Sequence, residues 1–124
     1  MSLAARTVHT STAARAELVA ALDAVDGLTG YAVVPDTATA GAAWPKWVQS
    51  TYAGKLCELR VDVWEIYAVL PANYLEETAD QGDQLRDVLA PVLLDLGRVE
   101  YVEPVAIGFS DNQYMPGLRV RLTT

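Results

Sequence analysis

Few residues in this chain are of types that do chemistry. The one histidine, His9, lies in a Thr-, Ser- and Ala-rich stretch, and no serine sits in a G-x-S-x-G elbow. A Ser-His-Asp arrangement therefore has nothing to be built on. The single cysteine, Cys57, excludes an internal disulfide and lies at an apolar parity of an extended stretch, so it reads as a buried small hydrophobe. One histidine and one cysteine cannot supply the ligands of a zinc site, and "TADQGDQ" lacks calcium-loop spacing. Neither G-x-x-x-x-G-K-[ST] nor G-x-G-x-x-G occurs, which removes the glycine-loop route to phosphate binding. Glu58, Asp62 and Glu65 lie in one extended stretch with Arg60 between the first two. They read as the solvent or interface face of a strand, with Arg60 in an ion-pair row, more simply than as glycosidase carboxylates. No catalytic residue, cofactor site or metal site is expected, and the chain reads as a non-enzyme.

The element carrying those charges is itself unusual. "LCELRVDVWEIYAVLP", Leu56 to Pro71, runs fifteen residues before its proline, against about 5 to 6 in a typical strand. Cys57, Leu59, Val61 and Val63 form one apolar parity, and Trp64, Ile66, Ala68 and Leu70 then take the other. A bulge near Val63, or burial on both faces, would explain the switch. At ~3.3 Å per residue the strand reaches about 50 Å, more than one helix layer on a small domain covers. Part of it should therefore leave the local core.

Around it the pattern predicts helix, strand, loop, long strand, helix, strand, strand. "STAARAELVAALDAV", Ser11 to Val25, has Ala14, Leu18, Ala21, Leu22 and Val25 at helical spacing, with Ser11 or Thr12 as cap and Gly27 as stop. A short strand is expected over Tyr31 to Val34, and a loop over Asp36 to Lys55 that carries Trp44, Trp47 and Tyr52. A second helix follows within residues 72–96. Asn73 is its cap, Leu75, Ala79, Gly82, Leu85, Leu89, Val92 and Leu96 form its stripe, Pro91 kinks its last turns and Gly97 ends it. Two strands, "VEYVEPVAIGFS" and "LRVRLTT", close the chain, with Leu118, Val120 and Leu122 facing one way and Arg119 and Arg121 the other. The expected fold is α+β, a two-layer domain in which a mixed, mostly antiparallel sheet of four to five strands packs on two helices.

At 124 residues the chain forms one domain, 1–124, able to bury a real core, and its 52% hydrophobic and 20% charged content is ordinary for a globular protein. No apolar run suits a membrane helix or a secretory signal, so a soluble protein without a membrane partner, intracellular when made, is expected. The net charge of −7 is the wrong sign for gripping nucleic acid. Residues 72–96 hold six acids against Arg86 alone and so contribute −5 of that −7, which ordinarily marks a solvated face. Trp44 and Trp47 flank Pro45 and Lys46 and must bury their area somewhere, on a neighbour as interface anchors or on the edge of their own sheet.

The length, the element order, "AWPKW" leading into "VDVWEIYAVLP", the acidic helix and the closing strand pair together resemble a tail terminator protein of long-tailed, siphovirus-type phages, especially those infecting actinobacteria. The resemblance covers nearly the whole chain and rests on pattern. It implies a small structural virion subunit, assembled in the host cytoplasm as a homo-oligomeric ring, usually a hexamer, at the head-proximal end of the tail. Such a ring stops growth of the tail tube protein and offers a docking surface to the head-tail connector proteins. Double-stranded DNA passes through the lumen without sequence-specific binding. Six copies at −7 each carry −42 together, and an acidic lumen would repel DNA phosphates. The expected subunit contacts are Trp44, Trp47, Tyr52, Arg60 and Trp64, with Arg119 and Arg121 pairing with acids of a neighbour. A neck or head-completion protein of the head-tail connector is the nearest alternative, and a small α+β binding module or small enzyme a more distant one.

Overall fold

The computed structural model describes residues 11–53, 59–71 and 78–124. Its elements are α1 (Ser11–Asp23), β1 (Thr29–Gly30), β2 (Ala42–Ala53), β3 (Leu59–Val69), α2 (Thr78–Leu94), β4 (Arg98–Gly108) and β5 (Tyr114–Thr123). They form an α+β fold with one five-stranded sheet in the order β1-β2-β3-β5-β4. Among the described residues only the β1–β2 pairing is parallel. His9, Cys57, Glu58, Asn73 and Leu75, with the roles expected of them, lie outside the described residues.

Both helices cover the same face of the sheet, α1 over β1 and β2 and α2 over β4 and β5. In α1 the spacing of Leu18, Leu22 and Val25 brings three buried side chains to the sheet, and in α2 Leu85, Leu89 and Leu93 do the same at intervals of four. Full burial of a leucine contributes about 1.5–3 kcal/mol, so these stripes, more than intrinsic propensity, hold the helices in place. Gly27, at φ 87°, turns the chain out of α1 in the left-handed conformation that glycine adopts without strain. The Gly30 N–H then donates to Asp23 Oδ1 at 3.0 Å, which ties the helix end to β1.

The even positions of β3 from Trp64 to Leu70 belong to this core. The odd positions contribute to a second, smaller core on the opposite face, where Trp44, Val69, Ile107 and Phe109 are buried and Tyr31, Tyr67 and Met115 pack around them. The second half of β3 is thus covered on both faces, which accounts for the parity switch read from the sequence. The bulge at this level lies not in β3 but in its neighbour β2, between Trp47 and Gln49 where they meet Trp64 and Val63. Pairing of β3 with β5 from Val63 to Val69 runs without interruption.

Three expectations require correction. The segment expected as a loop over Asp36 to Lys55 contains the twelve-residue strand β2. Ala42 to Pro45 are buried on both faces and the bulge after Trp47 shifts the parity, so β2 shows no period of two to read. The strand expected over Tyr31 to Val34 is only Thr29–Gly30, and Val33 and Val34 lie exposed beyond it. A short apolar run does not state whether its side chains will be covered. Residues Tyr114 to Gly117, expected in the connection, extend β5, and the β4–β5 turn is tightened by Asn112 at φ 62°.

Candidate interaction surface

The surface most out of keeping with an isolated domain lies along β2. Its first two residues pair with β1, and from Trp44 onward the strand is an edge of the sheet. Arg15 of α1 fixes the beginning of this edge. Its Nη1 donates to the carbonyl oxygens of Ala32 at 2.8 Å and Pro45 at 2.9 Å, while its guanidinium lies 5.3 Å from the centre of the buried Trp64 ring. One side chain thereby joins α1, the 31–34 segment, β2 and β3, with a cation–π contribution of about 0.5–2 kcal/mol. The Trp64 indole N–H has no hydrogen-bond partner among the described residues.

Beyond Pro45 the side chains open to solvent. Val33, Val34, Trp47, Val48, Tyr52 and Val61 are six of the ten large hydrophobic side chains exposed among the described residues, and all six lie at this end of the sheet. Trp47 is 47% exposed, Tyr52 57% and Val33 66%, so area that folding ordinarily hides is left outside here. A shallow groove of about 340 Å³ runs through the patch, lined by Arg15, Val33, Val34, Lys46 and Trp47 among others. Neither Arg15 nor Lys46 makes an ion pair with a described acid, so the groove combines apolar walls with two cations.

Trp47 is held in this position by a chain of polar contacts that ends on a buried carboxylate. Its Nε1–H donates to Ser50 Oγ at 3.0 Å, and Ser50 Oγ–H donates to Asp62 Oδ1 at 2.5 Å across the strand pair. Arg60 Nε lies 3.3 Å from the same carboxylate oxygen, and Asp62 is 4% exposed. A buried carboxylate with two such partners acts as a fixed acceptor. A second hollow of about 370 Å³ lies beside it, lined by Glu17, Leu18, Arg60, Asp62 and Leu96 among others.

The remaining expected contact residues are used within the chain. Trp44 is buried, stacked on Tyr67 at 5.7 Å and edge-on to Phe109 at 5.8 Å, and Trp64 is fully buried beneath the helices. Arg119 pairs with Glu103 and Glu65, and Arg121 Nε pairs with Glu100 Oε2 at 2.8 Å. Hydrogen bonds to Glu103 and then to Tyr67 raise the Arg119 pKa still further above the titration range of proteins. The stabilisation linked to it is present below the ordinary arginine pKa and is lost only as pH rises past the raised value, so it carries no pH dependence near neutrality. Within the chain, Trp44 and Trp64 are enclosed in its cores, while Arg60, Arg119 and Arg121 pair with its own acids and keep 28–33% of their side chains exposed. Trp47 and Tyr52 remain exposed. Val33, Val34 and Lys46 join them unannounced, because an apolar pair before a proline reads as a strand until its cover is known.

No group of three or more His, Cys, Asp or Glu side chains among the described residues is arranged to hold a metal ion. No described helix is long and apolar enough to cross a membrane. In comparison with known proteins the chain matches no family model, no curated protein and no solved structure.

Proposed function

We propose that this chain is a structural assembly protein, a tail terminator that self-associates as a ring on the head-proximal end of a phage tail tube, ends tube growth and presents a docking surface to the head. The observation that carries the reading is the exposed patch of Val33, Val34, Trp47, Val48 and Tyr52 along the β2 edge, apolar and aromatic area of the kind that interface centres use. The resemblance in pattern to tail terminators supplies the assembly in which such a patch finds cover. The charge distribution refines the picture. Glu17, Asp23, Asp83, Asp87 and Asp95 belong to the helix layer, whereas on the opposite face Arg119 and Arg121 balance Glu103 and Glu100. An acidic lumen thus requires the helices to face the channel, and the bare sheet face would give a nearly neutral one.

Omission of the protein during phage assembly, followed by electron microscopy of the tails, tests the reading. Tails that grow beyond their normal length and carry no heads are the expected result. Tails of normal length with unjoined heads would instead identify a neck or head-completion protein, and normal joined particles would remove both.

A further inference from the structure

Among the described residues the sheet has two unpaired edges, and both are blunted against main-chain pairing. The β2 edge begins at Pro45, whose carbonyl is taken by Arg15, and bulges between Trp47 and Gln49. The β4 edge carries Pro104 and a bulge between Val99 and Tyr101. Prolines and bulges are devices that keep edge strands from adding to one another. Edges of this kind favour association through side chains.

Two side-chain surfaces match. At the β2 end lies the groove of Val33, Val34, Lys46 and Trp47, with Arg15 and Lys46 as its cations and no acid in its lining. On α2, which covers the β4 and β5 end, Val88 is 45% and Leu94 59% exposed, and exposed Asp95 follows the last residue of the helix. Asp83 and Asp87, also exposed, share the single cation Arg86, so this surface keeps an excess of acid. At 3.6 residues per turn Asp87, Val88 and Leu94 fall on the outer arc of the helix, away from buried Leu85, Leu89 and Leu93. One surface is apolar with a basic rim, the other apolar with an acidic rim, and they sit at opposite ends of the sheet. Resting on the ring assembly proposed above, we infer that copies of this chain add head to tail, the β2-end groove of one copy seating the outer face of α2 of the next. Such a contact is heterologous, so successive additions by the same rotation close a ring or extend a filament, in contrast to a two-fold dimer.

Complementary defects test the arrangement. Val33→Glu with Lys46→Glu spoils the groove and leaves the helix intact, and Val88→Glu with Leu94→Glu does the reverse. All four positions are exposed, and circular dichroism confirms that each variant is folded. In sedimentation velocity over a rising concentration series the wild type is expected to assemble beyond the dimer. Each variant alone is expected to associate at least ~30-fold more weakly. An equimolar mixture of the two should stop at a one-to-one pair, because only one competent contact remains. A monomeric wild type, a variant that assembles as the wild type does, or a mixture that stays monomeric would overturn the inference. If tails overgrow without the protein while both variants assemble normally, only the head-to-tail contact fails. If the contacts behave as described while tails keep their length in its absence, the terminator reading fails and the contact stands.

Discussion

Asp62 shows how a single residue can be misplaced by its surroundings in the sequence. Between Arg60 and Val63 it reads as one member of a solvated charge row, yet its carboxylate is buried and accepts from Ser50 while pairing with Arg60. Replacing it by alanine removes the acceptor of the Ser50 hydroxyl and one partner of Arg60, which costs about 1–3 kcal/mol. The Arg60 side chain is 28% exposed and recovers some hydration, so the lower half of that range is expected. Asp62→Asn keeps an acceptor for Ser50 and should lose less. Urea unfolding of the two variants measures the difference, and equal losses would show that Ser50 contributes nothing.

At the level of elements, close approach decides what pattern cannot. Gly117 of β5 lies between Val69 of β3 and Val105 of β4 in one row of the sheet. A Cβ there would stand 2.4 Å from the Ala68 carbonyl oxygen and 2.6 Å from Ile107 Cδ1. The first of these atoms is backbone in a central strand and cannot move aside cheaply. Gly117→Ala should therefore destabilise by about 1–3 kcal/mol, read as a fall in Tm of several degrees. An unchanged Tm would mean that β5 can slide against β3. The stretch before Gly117 was read as a connection because "DNQYMPG" is rich in turn formers. Asp111, which accepts from the Gln113 N–H at 3.1 Å, and Asn112 use that chemistry, and Tyr114 to Gly117 are already paired with β4.

For the whole molecule, charge and apolar area are sorted to different places. Glu17, Asp23, Asp83 and Asp87 give the helices an acidic excess, and the exposed apolar side chains concentrate at the β2 end beside Arg15 and Lys46. Association through a basic groove and an acidic helix is screened by salt. Raising ionic strength from about 0.1 M to about 1 M shortens the Debye length from ~10 Å to ~3 Å and should weaken assembly in sedimentation experiments. Assembly that strengthens with salt would assign the contact to apolar burial alone.

The helix stripes, the closing pair of strands and the α+β class were legible because Leu18, Leu22, Leu85, Leu89, Leu118, Val120 and Leu122 repeat at the periods of the elements they build. The anionic character was equally plain from composition. What only the tertiary structure decided was cover: that Trp44 and Trp64 are enclosed while Trp47 stands out, and that Arg119 and Arg121 find acids two strands of one sheet already supply. The reason is that burial and ion pairing are properties of neighbours brought together from distant parts of the chain. A bulge such as that at Trp47 changes which neighbours those are without leaving a mark in the local pattern.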